Sequence, residues 1–118
     1  MKYILLLYSA PGSGPDPESQ EGRDQMGRWF GVTEEMQNAG VLLGGDALQP
    51  TETATTLRER DGEVVLTDGP FAETKETLGG YYLIDVADFD AAAEWGAKMP
   101  LAPYGSVEIR AVMEFDQP

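Results

Sequence analysis

The residues with the most evident chemical potential lie in the stretch 68–76, which reads DGPFAETKE and combines one lysine with three carboxylates. If the Lys75 ammonium points into a cavity, it can hold a carboxylate or an enolate-like oxygen. Asp68 or Glu73, partly removed from water, would have a raised pKa and serve as the base. This combination predicts proton transfer next to a carbonyl group. If Lys75 faces solvent instead, its pairs with Glu73 and Glu76 are worth under about 1 kcal/mol each.

The same stretch is also typical of a chain connection. Gly69 and Pro70 favour a sharp turn, and the Asp68 carboxylate can accept backbone N–H groups across that turn. Phe71 would then enter the core as an anchor, and residues 73–76 would form one helical turn. Both interpretations stay open, and the candidate ligand-binding residues of the stretch are Asp68, Pro70, Phe71, Glu73 and Lys75.

Three further candidates lie outside this stretch. Trp29 belongs to an apolar helical stripe, so its indole would line the core or a pocket. Tyr81 lies in an apolar strand, where the pattern is compatible with either core packing or a pocket wall. Arg110 lies on the last strand and could reach a cavity, but pairing with Glu108 or Glu114 is the favoured interpretation.

Histidine and cysteine are both absent, which excludes several kinds of site. A Ser-His-Asp triad, a thiol nucleophile, a disulfide and a thiolate metal site are all impossible. A zinc site would need carboxylates alone, so no metal is expected. No cofactor is predicted either, because the glycine-rich segment 12–14 lacks the lysine and the strand-to-helix context of a phosphate-binding loop.

The charge balance also restricts the possible partners. The chain has 8 basic and 21 acidic residues, a formal net charge of −13. Such a chain repels polyanions, so neither nucleic acid nor an anionic membrane is an expected partner. The apolar run 3–8 is shorter than the roughly 7–15 residues of a signal-peptide core, and it predicts a buried strand of a cytoplasmic protein.

The length of the chain predicts a single domain that spans residues 1–118. Hydrophobic periodicity and the positions of glycine, proline and capping residues predict two helices and six strands. The first helix would begin at Pro17 after an Asp16 cap, have irregular early turns because of its glycines, and end at Gly40. The second helix would be capped by Asp88 and closed by Pro100. The six predicted strands are 2–8, 41–43, 51–60, 63–67, 80–86 and 106–115. A turn at 44–46 would follow the second strand, and a turn at Asp61–Gly62 would join the third strand to the fourth.

This order predicts an α+β fold, a ferredoxin-like split βαβ with a β-hairpin insertion and an antiparallel sheet carrying its helices on one face. The strands 2–8 and 80–86 are apolar on both faces. Because helices cover only one side of this sheet, the other side would leave a large apolar patch in water. The sequence therefore predicts a homodimer in which the two sheets face each other.

The stretch 68–76 resembles the signature of the DGPF family, a branch of the YCII-related domain proteins. The similarity extends to MKYILLLY at 1–8, LGGYYLI at 78–84, the alanine-rich second helix with Trp95, and GSVEIR at 105–110. The resemblance implies a dimeric α/β barrel in which two ferredoxin-like sheets close around a cavity. Members of the family are often encoded beside extracytoplasmic-function sigma factors. The broader group has been suggested to be enzymatic through a His-Asp pair whose histidine lies on the first helix. This sequence has no histidine, and Trp29 lies near the position that the histidine would occupy on that helix.

Together, these observations predict a small homodimer that binds a small organic ligand in an inter-sheet cavity and has an accessory or regulatory role. One alternative is a cofactor-free enzyme, an isomerase or a monooxygenase-like protein that uses Lys75 and a carboxylate. Another alternative is a protein-interaction partner of a sigma factor.

Overall fold

The computed structural model describes residues 1–116 of the chain and contains two helices and six strands within that range. In chain order the elements are β1 Lys2–Ser9, α1 Gln20–Asn38, β2 Leu42–Ala47, a single 3-10 turn Thr51–Thr53, β3 Thr55–Arg60, β4 Glu63–Asp68, β5 Thr77–Asp85, α2 Phe89–Ala97 and β6 Ser106–Ala111. Strands β2, β5, β1 and β6 form one antiparallel sheet in that spatial order, and β3 pairs only with β4. The predicted split βαβ fold with a hairpin insertion is confirmed.

The two faces of the sheet have different environments. Side chains of β1 alternate between faces, so Tyr3, Leu5 and Leu7 point toward the helices and are buried. Leu5 and Ile84 form part of a core with Met36 of α1 and with Met99, and all four are fully buried. Both helices therefore cover one face, as predicted. The other face, called here the outer face, carries Ile4, Leu6, Tyr8, Tyr81 and Leu83, and all five are only half-buried.

Helix α1 begins later than predicted and is regular throughout. Its N-cap is Ser19, whose Oγ accepts a hydrogen bond from the Gly22 N–H at 3.0 Å. Pro17 instead belongs to a turn in which the Asp16 carboxylate accepts the Glu18 N–H at 3.0 Å. This turn crosses the start of the helix so closely that a Cβ at Gly22 would lie 2.0 Å from the Asp16 carbonyl oxygen. Gly22 is thus a close-approach residue rather than a source of irregularity.

The prediction of a turn at 44–46 is wrong, because these residues continue strand β2. Gly45 lies opposite Tyr82 of β5, and a Cβ at Gly45 would come within 2.7 Å of the Tyr82 ring. The glycine therefore lets a tyrosine of the neighbouring strand lie across it. Strand β5 also begins earlier than predicted, at Thr77, and β6 ends earlier, at Ala111.

Several local predictions are confirmed. Asp88 caps α2 by accepting the Ala91 N–H at 2.9 Å. Gly40 follows the end of α1 with a φ of +75°, the left-handed conformation expected for a glycine after a helix. Asp61 and Gly62 have φ values of 54° and 78°, which are the values of a two-residue hairpin turn. Phe89, predicted on the inner face of α2, packs edge-on against the core residue Tyr3 but keeps about half of its surface exposed.

Candidate ligand-binding cavity

A cavity of about 460 Å³ lies between α1 and the helix-covered face of the sheet. Helix α1 supplies one wall, because residues 26, 29, 30 and 33 recur at helical spacing on one side. Glycines 45 and 80 of β2 and β5 leave room in the sheet beneath this wall. The full lining is Leu7, Ser9, Met26, Trp29, Phe30, Thr33, Gly45, Asp46, Ala47, Gly79, Gly80, Tyr81, Tyr82, Leu101 and Tyr104.

The mouth of the cavity is apolar and open. Phe30 is 70% exposed and Met26 is 54% exposed, whereas the neighbouring Trp29 is half-buried. The apolar stripe of α1 divides between the core and the cavity: Met36 is buried, whereas Met26, Trp29 and Phe30 line the cavity. The other buried residues of the helix are Gln25 and Val32. The helix thus turns its aromatic side chains toward the cavity rather than into the packed interior.

The lining includes two tyrosines, Tyr82 and Tyr104, and the hydroxyl of each is hydrogen-bonded to a side chain of α1. The Thr33 hydroxyl donates to the Trp29 carbonyl at 2.9 Å, so the Tyr82 hydroxyl donates to Thr33 Oγ1 at 2.6 Å. The Tyr104 hydroxyl accepts the Gln25 side-chain amide at 2.7 Å. Among residues 1–116 no group accepts a hydrogen bond from the Tyr104 hydroxyl. Gly14 lies close to the hydroxyl end of this ring, since a Cβ there would be 2.7 Å from Tyr104 Cζ and 2.8 Å from the hydroxyl oxygen.

The interior of the cavity is uncharged. Asp46 is the one ionisable carboxylate in the lining, and its side chain follows the register of β2 to the outer face. There it accepts the Tyr81 hydroxyl at 2.8 Å. The hydrogen bond and the negative charge of Asp46 raise the pKa of the Tyr81 phenol above its usual value. No lysine or arginine belongs to the lining formed by the described residues.

The residues of the stretch 68–76 lie elsewhere. Lys75 lies in a separate open depression of about 510 Å³ at one end of the outer face, whose lining includes Tyr8, Glu76 and Glu108. Ser106 Oγ donates to the Glu76 carboxylate at 2.6 Å at the same place. Neither Asp68 nor Glu73 lines this depression. Lys75 therefore shares this depression with Glu76 rather than with either proposed base.

Two features predicted for this stretch are wrong. Phe71 does not enter the core, since 79% of it is exposed. Residues 73–76 contain a bend at 75–76 and no helical turn. The chain turns at Gly69, which has a φ of +101° and donates its N–H to the Ala54 carbonyl at 2.7 Å. Pro70 is exposed beside this turn.

The other candidates divide between the two faces. Trp29 lines the cavity, whereas Tyr81 only borders it, because its side chain lies on the outer face beside Leu6. Arg110 also lies on the outer face, opposite Ile4. Arg110 pairs with Glu108, and this contact raises the pKa of the guanidinium above its usual value. Sequence reasoning missed Tyr104 and its partner Gln25. The one sequence signal for them is a glutamine on the inner side of an amphipathic helix.

The described residues contain no group of three or more potential metal ligands close enough to hold an ion. Neither α1 nor α2 is sufficiently long and apolar to cross a membrane.

The fold and the position of the cavity define a small α+β protein with a split βαβ sheet and a ligand-sized space under its first helix. The chain belongs to the YCII-related domain family, whose profile matches residues 1–116. It is also similar to an uncharacterized protein of Rhizobium meliloti (strain 1021), with 38% identity over 112 residues. That alignment covers 93% of this chain and 90% of the relative.

Proposed function

We propose that the protein is a homodimer that binds a small, uncharged, largely apolar molecule in the cavity beneath α1. The observation that carries the proposal is the lining itself, which combines aromatic and apolar walls with one unused hydroxyl hydrogen. Such cavities bind ligands by burying apolar surface and by a few placed polar groups. The free Tyr104 hydroxyl favours a ligand with a hydrogen-bond acceptor, such as a carbonyl or ether oxygen. An anionic ligand is disfavoured, because no cation lies in the lining.

A second copy of the chain is part of this proposal. The chain exposes 8373 Å², about 2,100 Å² more than a compact monomer of 12.8 kDa would. Burying this excess on each chain would give an interface in the roughly 2,000–5,000 Å² range of obligate dimers. The half-buried Ile4, Leu6 and Leu83 of the outer face supply an apolar surface for that contact.

This proposal moves the ligand from the position that the sequence suggested. A cavity between two facing sheets requires the second copy and stays a prediction, whereas one chain already forms the cavity beneath α1. Catalysis at Lys75, a sigma-factor partner, a regulatory role and a cytoplasmic location also stay predictions.

Ligand binding can be tested with a neutral, environment-sensitive dye such as Nile red. The chain has two tryptophans, so Trp95→Phe leaves Trp29 as the only indole and the only reporter in the cavity. We expect the dye to gain emission and to quench Trp29 with a saturable dependence on dye concentration. Phe30→Ser should weaken both signals, and Phe89→Ser is the matched control, because Phe89 is an exposed phenylalanine outside the lining. Equal weakening by the two variants would exclude the cavity as the binding site.

The acceptor on the ligand can be tested with molecules that co-purify. Native mass spectrometry of the wild-type protein should show a bound molecule, and Tyr104→Phe should retain less of it while keeping the ring in place. If Tyr104→Phe retains as much of the bound molecule as the wild-type protein, the Tyr104 hydroxyl does not bind the ligand.

The homodimer can be tested by light scattering at micromolar concentration. We expect a mass twice that of the 12.8 kDa chain. Leu6→Glu places a charge at the centre of the outer face and should give a monomer with unchanged helix content. Phe89→Glu, on the helix-covered side, should remain dimeric. A monomeric wild-type protein would overturn this part of the proposal.

A further inference from the structure

The hairpin formed by β3 and β4, residues 55–68, is called here the arm, and its two faces differ in chemistry. The register pairs Leu57 with Leu66 and Glu59 with Val64, so Leu57, Val64 and Leu66 share one face. These three side chains are 61%, 62% and 65% exposed, respectively. Within residues 1–116, this apolar patch on one side of the two-stranded ribbon is therefore left without a covering.

The opposite face of the arm already has contacts. Thr56 Oγ1 donates to the Gly69 carbonyl at 2.8 Å, and Arg58 reaches the Phe71 carbonyl at 3.5 Å. Both side chains are half-buried. The segment after β4 thus folds back on the polar face and leaves the apolar face as the one available for docking.

The arm does not belong to the compact part of the molecule. Neither β3 nor β4 pairs with the four-stranded sheet. The Cα radius of gyration is 16.6 Å, whereas a compact chain of this length has about 13.5 Å. A lone two-stranded hairpin is at best marginally stable in water. Something must cover the apolar face if the arm is to keep its register.

We propose that the apolar face of the arm docks on a second copy of this chain. The inference rests on the proposed homodimer and adds a second contact region to its interface. Two observations favour a second copy as the occupant. The exposed surface in excess of that of a compact monomer matches what an obligate dimer buries. The arm and the outer face are both open apolar surfaces of the same chain, so one partner can cover both. Each copy then holds the arm of its partner in an exchange related by two-fold symmetry.

The absence of cysteine makes accessibility measurable at single positions. Val64→Cys and Val65→Cys place one thiol on the apolar face and one on the polar face of the same strand. We expect iodoacetamide to react with the Val64→Cys protein about tenfold more slowly than with the Val65→Cys protein at concentrations where the protein is dimeric. Similar rates at the two positions would overturn the proposal.

The Leu6→Glu variant, which is expected to be monomeric, shows which chain covers the arm. Adding Leu6→Glu to Val64→Cys should abolish the protection, because no partner is then present. Protection that persists in a monomer would mean that the arm folds onto its own chain, and would also overturn the proposal. A protein that is dimeric by light scattering but reacts equally at both positions would retain the proposed homodimer and exclude the arm from its interface.

Discussion

Side chains alternate between the two faces of the strands in both the four-stranded body and the arm, yet an apolar face is covered in one region and open in the other. In the body, Leu5 and Ile84 are fully buried beneath the helices. In the arm, Leu57 and Leu66 are directly paired across the hairpin and still mostly exposed. Alternation therefore predicts that one face needs a cover, but not whether the cover comes from the same chain. The difference can be tested by comparing variants in the two regions.

The largest effect is expected for Leu5→Ala. Removing a fully buried leucine side chain should lower the free energy of unfolding by about 2–5 kcal/mol. The matched control is Leu57→Ala, which should change it by less than about 0.5 kcal/mol. Both are measured by urea unfolding in the Leu6→Glu background, where no partner covers the arm. If Leu5→Ala and Leu57→Ala lower the free energy of unfolding by similar amounts, the arm packs into the same core as the body.

A smaller loss is expected for Gln25→Ala. Gln25 is buried, and its amide bonds the Tyr104 hydroxyl and, at 3.3 Å, the Pro100 carbonyl. Leaving these partners without their donor should reduce the free energy of unfolding by about 1–3 kcal/mol. Gln37→Ala on the exposed side of the same helix is the control and should stay within about 0.5 kcal/mol. Equal losses would contradict the packing of α1 against the loop after α2.

Gly62→Ala tests whether the arm unfolds independently. Gly62 has a φ of 78°, and a left-handed conformation costs a residue with a Cβ about 1–2 kcal/mol. We expect faster amide hydrogen exchange in residues 55–68 and unchanged exchange in β1 and β5. Gly27→Ala is the control, because no atom lies within 4 Å of its new Cβ. That helical substitution should stabilise the body by roughly 0.5–1 kcal/mol. Faster exchange throughout the chain after Gly62→Ala would mean that the arm and the body unfold together.

The smallest effect is a shift in a tyrosine titration on the outer face. The folded chain holds the Tyr81 proton more tightly than the unfolded chain, since Asp46 raises the Tyr81 pKa above 10.0. This contribution to stability is complete below about pH 10 and is lost as the pH rises through the raised pKa. Asp46→Asn should bring the ionisation of Tyr81 back toward its usual range. The difference between the ultraviolet titrations of the wild-type protein and Tyr81→Phe isolates this group, and an unshifted curve would contradict the hydrogen bond.

Much of the fold could be predicted because its causes are local. The Asp88 cap and the Asp61–Gly62 turn depend on a few adjacent residues, and both are found where the sequence places them. The prediction failed where a distant segment decides the local conformation. Gly44 and Gly45 look like a turn in isolation, but the pairing of β2 with β5 makes them strand. The predicted helix start at Pro17 failed for a local reason, because the Asp16 carboxylate accepts the Glu18 N–H in a turn and Ser19 caps the helix instead.

The candidate site was less predictable than the fold. Trp29 was identified from its helical stripe, and it lines the cavity. Tyr104 was missed, because its role depends on Gln25, which is 79 residues away in the chain. The stretch 68–76 attracted a chemical interpretation through its composition, yet the fold places Lys75 in a different depression from the cavity under α1.

The sequence by itself determined the order of helices and strands, the turn at Asp61–Gly62, the Asp88 cap and the existence of two apolar sheet faces, since these follow from residue types and spacing along a few turns or strands. Only the tertiary structure decided which side chains meet under α1, that Phe71 lies in water, and that the arm stands apart from the body. The physical reason is that burial and cavity shape arise from contacts between segments far apart in the chain, and no local pattern records which segments these are.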